Sequence, residues 1–290
     1  MSARFFAGTE DGHVVCFDAQ AKTQWILRVG KGAVTSLYAS ARGTLVATTS
    51  EGVLARIADK GDKGQLLTRK TNEGRAYVAC VEAGAFVIAA TGDGLIAYAE
   101  AESLQTLSDV DEGGIPLTSL ALKDDALFYA SADGTLHKRS AQDPRGKGAR
   151  FEATEQDSEI TALVVRGDRV FALLSSGAID AFSAGDIDAA PERAFDDALR
   201  ICGDSCGNVL AIDGEGAVWR VNQGLGSSQA GRIELEDMIV APVEVGGILA
   251  TCQQDGMAAL WKLGAGSLTK LGAVSLKVPV ACVAAIPIKK

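Results

Sequence analysis

The sequence predicts an all-β chain, a seven-bladed β-propeller of four-stranded antiparallel blades closed by its C-terminal strand. Two observations lead to this: a short motif that returns about every 40 residues, and the lack of any 3.6-residue apolar periodicity. The motif is an apolar run, a small or hydroxyl residue, an acidic-Gly turn and a second apolar run. Its copies are FFAGTEDGHVVCF, LVATTSEGVLARI, VIAATGDGLIAYA, LFYASADGTLHKR, VFALLSSGAIDAF, VLAIDGEGAVWRV and LATCQQDGMAALW. The turn glycines are Gly12, Gly52, Gly94, Gly134, Gly177, Gly216 and Gly256, at intervals of 40, 42, 40, 43, 39 and 40 residues.

Each column has a physical reading. Seven residues before the Gly stands a bulky apolar residue: Phe5, Leu45, Val87, Leu127, Val170, Val209 or Leu249. Five before it the residue is small in most copies (Ala7, Ala47, Ala89, Ala172, Ala211, Thr251), with Tyr129 as the departure. The neighbours of the bulky column are also mostly apolar, so this strand is buried on both faces, as between packed sheets. The Gly supplies a positive φ at low cost and marks a hairpin. About 14 residues upstream lies another short strand, such as Thr35-Ser36-Leu37 or Thr118-Ser119-Leu120, and a fourth follows the hairpin, as in 23–29 and 267–274. Four short strands per repeat make one propeller blade.

The blades are expected near 33–72, 75–112, 116–157, 159–197, 198–237 and 239–276, within a single domain spanning 1–290. The N-terminal blade, residues 1–30, has room for only one strand before its turn Gly. Residues 279–286 match an inner strand with no hairpin after it. The chain ends are therefore expected to share one sheet, which removes both exposed edges.

Apolar residues make up 47% of the chain and aromatics 6%, so the core must be built from Ala, Val, Leu and Ile. The start, Met-Ser-Ala-Arg-Phe-Phe, lacks the apolar stretch of a secretory signal, and no apolar run is long enough to span a bilayer. A soluble protein of the cytoplasm or nucleus, without membrane contact, is expected. A net charge of −9 argues against direct nucleic-acid binding. The six cysteines show no disulfide spacing and are expected to be free thiols.

With the blades in register, the chain resembles the WD-repeat family over its whole length. That family places Trp-Asp five and six residues after the turn Gly. Here Trp261-Lys262 keeps the Trp, and Phe17-Asp18 keeps the Asp behind another aromatic. The family's Gly-His pair is absent, and both histidines, His13 and His137, follow the turn. The resemblance implies the architecture and a divergent membership, with the family's four-residue His–Ser/Thr–Trp–Asp network formed in no blade. Quinoprotein-type propellers are also similar, without their Trp-rich motif.

Little in the sequence assembles chemistry. Two histidines, far apart, give a His-based metal cluster or triad little to draw on. Cys202 and Cys206 in CGDSC form the one suggestive pair, expected to be packed thiols rather than zinc ligands. Cys80 and Cys282, each in a VACV tetrapeptide, are expected at equivalent inner-strand positions. The inner strands carry Thr, Ser, Ala and Cys. No catalytic residue, metal or cofactor is therefore expected, and the chain is read as a non-enzymatic scaffold or adaptor subunit that binds a protein or peptide. The alternative is a propeller hydrolase or lactonase with a carboxylate-bound metal in the central channel.

Strand direction places the Gly turns and the loops entering the next inner strand on one face. The turns contribute Asp11, Glu51, Asp93, Asp133, Glu215 and Asp255. The entry loops contribute Glu73, Asp111, Glu112, Glu155, Asp157, Glu159, Asp196, Asp197, Glu234, Glu236 and Asp237. These 17 of the 37 acids, against Lys31, Arg75 and Lys277, give a local balance of −14 and leave about +5 for the rest. The other face and the rim, with Lys60, Lys63, Arg145, Lys147 and Arg150, are then neutral to basic. The acidic face is expected to dock a basic segment of the partner.

Overall fold

The computed structural model describes residues 2–40, 43–72, 74–146, 148–152, 155, 158–186, 189–234 and 237–288. Every regular element among them is a strand, and the strands form seven four-stranded antiparallel sheets. In six of the seven sheets the strands run outward in chain order from the channel. In the second blade they are Val34–Ala39, Thr44–Thr49, Val53–Asp59 and Gly64–Thr71. The inner strands contact one another in a closed ring.

The first blade is built from both ends of the chain. Val280–Ile288 is its inner strand and pairs antiparallel with Ser2–Thr9, from Ser2 opposite Ile288 to Thr9 opposite Val280. His13–Asp18 and Thr23–Arg28 complete that sheet. The expected closure is present.

Seven apolar clusters account for cohesion, one between each pair of neighbouring blades. The period-two alternation of a strand distributes its side chains between them. Phe6 packs toward the second blade with Trp25, Leu45 and Ile57, while Phe5 and Ala7 pack toward the seventh with Leu260 and Cys252. Phe5 and Phe6 are both fully buried, each contributing about 1.5–3 kcal/mol of transfer free energy.

The hairpins between second and third strands share one construction. Gly12 N donates to Thr9 O at 3.2 Å, and the His13 N–H donates to Thr9 Oγ1 at 3.0 Å. Thr49 and Thr91 accept the equivalent N–H of Val53 and Leu95, and in the sixth blade Asp213 does so for Ala217. The seven turn glycines have φ between 79° and 93°, the left-handed conformation that closes a three-residue loop. The Thr or Ser three residues ahead of the Gly in the first four blades, and the Asp in the sixth, is thus a turn-forming device.

Each of the seven inner strands also carries a bulge at one fixed position, leaving Thr35, Val78, Thr118, Thr161, Leu199, Val240 and Ala281 unpaired. The pairing register corrects one expectation. Cys80 pairs with Ala89, whereas the residue pairing with the equivalent Ala7 is Val283, so the two VACV segments are offset by one. Cys282 instead pairs with Gly8, where a Cβ would lie 2.6 Å from its Sγ, and the missing side chain makes room for the thiol.

Parts of the expected-absent polar network do occur. Trp261 Nε1 donates to Thr251 Oγ1 at 3.0 Å in the seventh blade. In the fourth, Ser131 Oγ lies 2.6 Å from Asp133 and 3.2 Å from Nε2 of His137.

Candidate functional site

The seven-bladed ring offers two sites, the face bearing the Gly turns and the channel. On the first, turn and entry loop are tied directly. Gly12 O accepts from Val29 N, Gly52 O from Asn72 N, Gly94 O from Glu112 N, Gly177 O from Ala198 N, Gly216 O from Ile233 N and Gly256 O from Leu276 N, at 2.7–3.1 Å. This brings Asp11, Glu51, Asp93, Asp133, Glu215 and Asp255 in the turns onto one face with Asp111, Glu112, Glu155, Glu159, Asp196, Asp197, Glu234 and Asp237 in the entry loops. Glu73, Asp157 and Glu236 lie outside the described residues, as does Lys147.

Part of this charge is neutralised by arginines that the sequence reading left out. Arg193 holds Glu155 at 2.7 Å, Asp196 at 2.8 Å and the fully buried Asp180 at 3.0 Å. Arg139 pairs with Glu112 at 3.0 Å, and Arg232 with Glu215. Arg150, assigned by sequence to the opposite face or rim, lies 3.9 Å from Asp133, because its strand pairs alongside the third strand close to the turn. Asp11 lies beside His13 at 3.0 Å. Among the described residues, Glu51, Asp93, Asp111, Glu159, Asp197, Glu234, Asp237 and Asp255 have no Lys or Arg within 4.0 Å. The opposite-face turns hold Lys60 and Lys63 beside Asp62, Asp124, Asp125 and Asp168, so that face is mixed in sign.

The channel contains a cavity of about 520 Å3 lined by the inner strands. The position after each bulge is Ser36, Ala79, Ser119, Ala162, Arg200, Ala241 and Cys282, a column of small residues broken by one arginine. The small members let neighbouring strands approach: Ser36 Oγ accepts from Cys80 N and Ser119 Oγ from Leu163 N, both at 3.2 Å. Arg200 reaches across to the seventh blade. Its Nε donates to Val240 O at 2.8 Å and its Nη1 to Leu199 O at 2.7 Å. Half-buried, it has no carboxylate in ion-pair range among the described residues, and burial holds its pKa below the ordinary arginine value. Arg200 thus departs from the Thr, Ser, Ala and Cys expected on the inner strands.

Above this level a second cavity, about 420 Å3, opens between the fifth and sixth blades and shares Thr161, Leu173 and Arg200 with the first. Asp197 lines it, in a left-handed conformation with φ 65°. Among the described residues no three of His, Cys, Asp and Glu converge on a possible metal position. Cys202 is buried, with its thiol pushed up to about 12 by burial, while Cys206 is exposed.

No family model and no curated protein matches the sequence. Solved structures do match in fold. A candidate 6-phosphogluconolactonase of Bacteroides fragilis is 13% identical with a TM-score of 0.77, covering 99% of this chain and 98% of that one. A chain of the mitotic checkpoint complex is 13% identical with a TM-score of 0.72, covering 86% and 79%. BamB of Moraxella catarrhalis is 16% identical with a TM-score of 0.63, covering 96% and 84%. At these identities the likeness shows the propeller fold, and the WD-repeat resemblance extends to architecture. It also corrects the expectation of a chain that is not an enzyme. That expectation rested on a search for histidines and carboxylates, yet a candidate lactonase shares the propeller from end to end and the channel holds a charged group.

Proposed function

We propose that the chain is a protein-interaction propeller, a divergent relative of the WD-repeat group, whose turn face receives a basic segment of a partner. One observation carries the reading: in six of the seven blades turn and entry loop are hydrogen-bonded together, and among the described residues eight of their acids stand without a neutralising Lys or Arg. Charge of one sign on one rigid surface speeds encounter with an opposite charge and selects among partners.

Glu51, Asp93, Glu159 and Glu234 suit a test because their carboxylates take no part in any hydrogen bond or ion pair among the described residues. The fourfold change to Lys is expected to weaken binding of a fluorescent oligolysine peptide about tenfold or more, mainly through the association rate. Binding by the unaltered chain should weaken with added salt. Changing Asp62 and Asp124 on the opposite face should leave it unaltered. Equal peptide affinity in the fourfold variant and the parent would reject the turn face as the docking site.

A second reading, turnover of a small ester or lactone in the channel, is supported by the full-length likeness to a candidate lactonase and by Arg200 at the cavity. Hydrolysis of a lactone panel that disappears in Arg200→Met is its test; absence of turnover across the panel rejects it.

A further inference from the structure

We infer that the channel is a binding site for a small organic oxyanion, a carboxylate or a phosphate monoester, held by Arg200. The inference does not depend on what docks at the turn face.

Arg200 interrupts a column of otherwise small residues on the inner strands. At the six equivalent positions the residue is Ala, Ser or Cys, enough for the inner strands to pack. A long cation there is not needed for the ring. It removes a charge from bulk water without a carboxylate to compensate it, an arrangement that costs stability. Its two hydrogen bonds use Nε and Nη1 and end on backbone carbonyls, which fix the guanidinium without neutralising it. Nη2 has no partner among the described residues, and Arg200 lines both cavities. A planar guanidinium anchored on one edge and open on another is suited to an oxyanion.

The cavity is consistent with that ligand. At about 520 Å3 it falls within the usual range for small-molecule sites. Thr35 and Ser36 bring hydroxyls from the second blade, across the ring from Arg200, and Thr161 brings one from the fifth. Val240, Pro242 and Val283 make the remaining wall apolar. One cation, several hydroxyls and an apolar wall describe a pocket for a compact hydroxylated anion. Among the described residues no carboxylate lines the larger cavity to repel the anion. Asp197 at the mouth of the smaller one disfavours ligands of high negative charge.

The experiment is calorimetric titration of the whole chain with inorganic phosphate, with citrate and with uncharged glycerol, in low-chloride buffer. Saturable binding of phosphate or citrate, and none of glycerol, is expected; which of the two binds more tightly separates the phosphate from the carboxylate source. Arg200→Met should weaken the preferred anion at least tenfold, and Arg200→Lys, which keeps the charge but not the fork, severalfold. Ser228→Ala, exposed on an outer strand and lining neither cavity, should retain anion binding. Arginine modification by phenylglyoxal supplies a readout that needs no variant: mass spectrometry should find Arg200 modified in the free chain and protected by the bound anion. Failure of both anions to bind the parent chain, unchanged affinity in folded Arg200→Met, or modification of Arg200 unaffected by anion would each overturn the proposal.

Discussion

Phe6 on the first strand stands opposite Ala284 on the last, within a ladder that joins the two ends of the chain. Both side chains belong to the cluster between the first two blades, and Val280 of the same strand belongs to the cluster toward the seventh. Removing the last strand would therefore open two interblade cores and expose the edge of Ser2–Thr9 at once. A chain lacking residues 277–290 is expected to melt about 10 °C or more below the parent and with lower cooperativity. Ala284→Asp, which places a charge in the same core, should act in the same direction. A truncated chain that melts like the full one in differential scanning calorimetry would show that the joint does not hold the ring.

The turn glycines are required by what lies beyond them as much as by their own φ. Gly256 has φ 89°, and a Cβ there would lie 2.4 Å from the carbonyl oxygen of Val278 in the entry loop. That oxygen is backbone, so the contact is relieved only by moving the loop. Gly256→Ala is expected to cost about 2–3 kcal/mol, combining the left-handed penalty with the lost loop contact. Gly185, with open space around its Cβ position, is the control, and Gly185→Ala should change stability by less than about 0.5 kcal/mol. Urea unfolding of the two variants decides the matter.

How far the sequence could be read follows from these same residues. The hairpins were legible because Gly12 and its six equivalents carry a backbone requirement that no other residue meets as well. The channel was not, because the inner strands are located by a single spacing of about 14 residues ahead of each Gly. That spacing varies: the unpaired residue lies 17 residues before the Gly at Thr35 and Leu199 but 16 before it at Val78, Thr118, Thr161 and Val240, so Arg200 drops out of the column that follows the bulge. Cys282 has no turn Gly after it, so its strand is matched through the VACV tetrapeptide alone, which sits one residue out of step with that of Cys80. The charge of the turn face was overcounted for another reason. Arg139, Arg150, Arg193 and Arg232 belong to third and outer strands, and long side chains carry their charge well away from the backbone that sequence reasoning places.

His137 is expected to make the fold sensitive to mild acid. Its ring stacks on Tyr129 with centroids 4.7 Å apart and planes 8° from parallel. Burial lowers its pKa from the ordinary histidine value, with Glu112, Asp133, Arg139 and Arg150 as the charged groups around it. A histidine whose folded pKa is depressed stabilises the fold fully above its unfolded pKa of about 6.5, and that contribution is lost as pH falls, because the unfolded chain then binds the proton more readily. Stability should decline between about pH 7 and 5 in the parent. His137→Phe, which keeps the stacking, should flatten that part of the profile. Melting temperatures with the same slope in both proteins would place the acid response elsewhere.

Arg56 links the second blade to the third from a buried position. It is 4% exposed, donates through Nη1 to Ala101 O at 2.9 Å and lies 2.9 Å from Glu102 and 3.7 Å from Glu82. The two acids differ in weight. The Glu102 side chain is 73% exposed, so water screens that pair, whereas Glu82 is 5% exposed and faces Arg56 in a low-dielectric setting. Removing the guanidinium alone leaves the Glu82 carboxylate buried without it and the Ala101 carbonyl short of a donor. Arg56→Met is therefore expected to cost about 3–5 kcal/mol, most of it the penalty of a buried charge rather than the worth of the pair. Neutralising both partners, as Arg56→Met with Glu82→Gln, should recover a large part of that loss. The two single variants and the double variant, compared by urea unfolding, form a cycle whose coupling energy reports the pair. A double variant less stable than Arg56→Met would mean that Glu82 stabilises the blade through its other contacts and that Arg56 acts chiefly through Ala101.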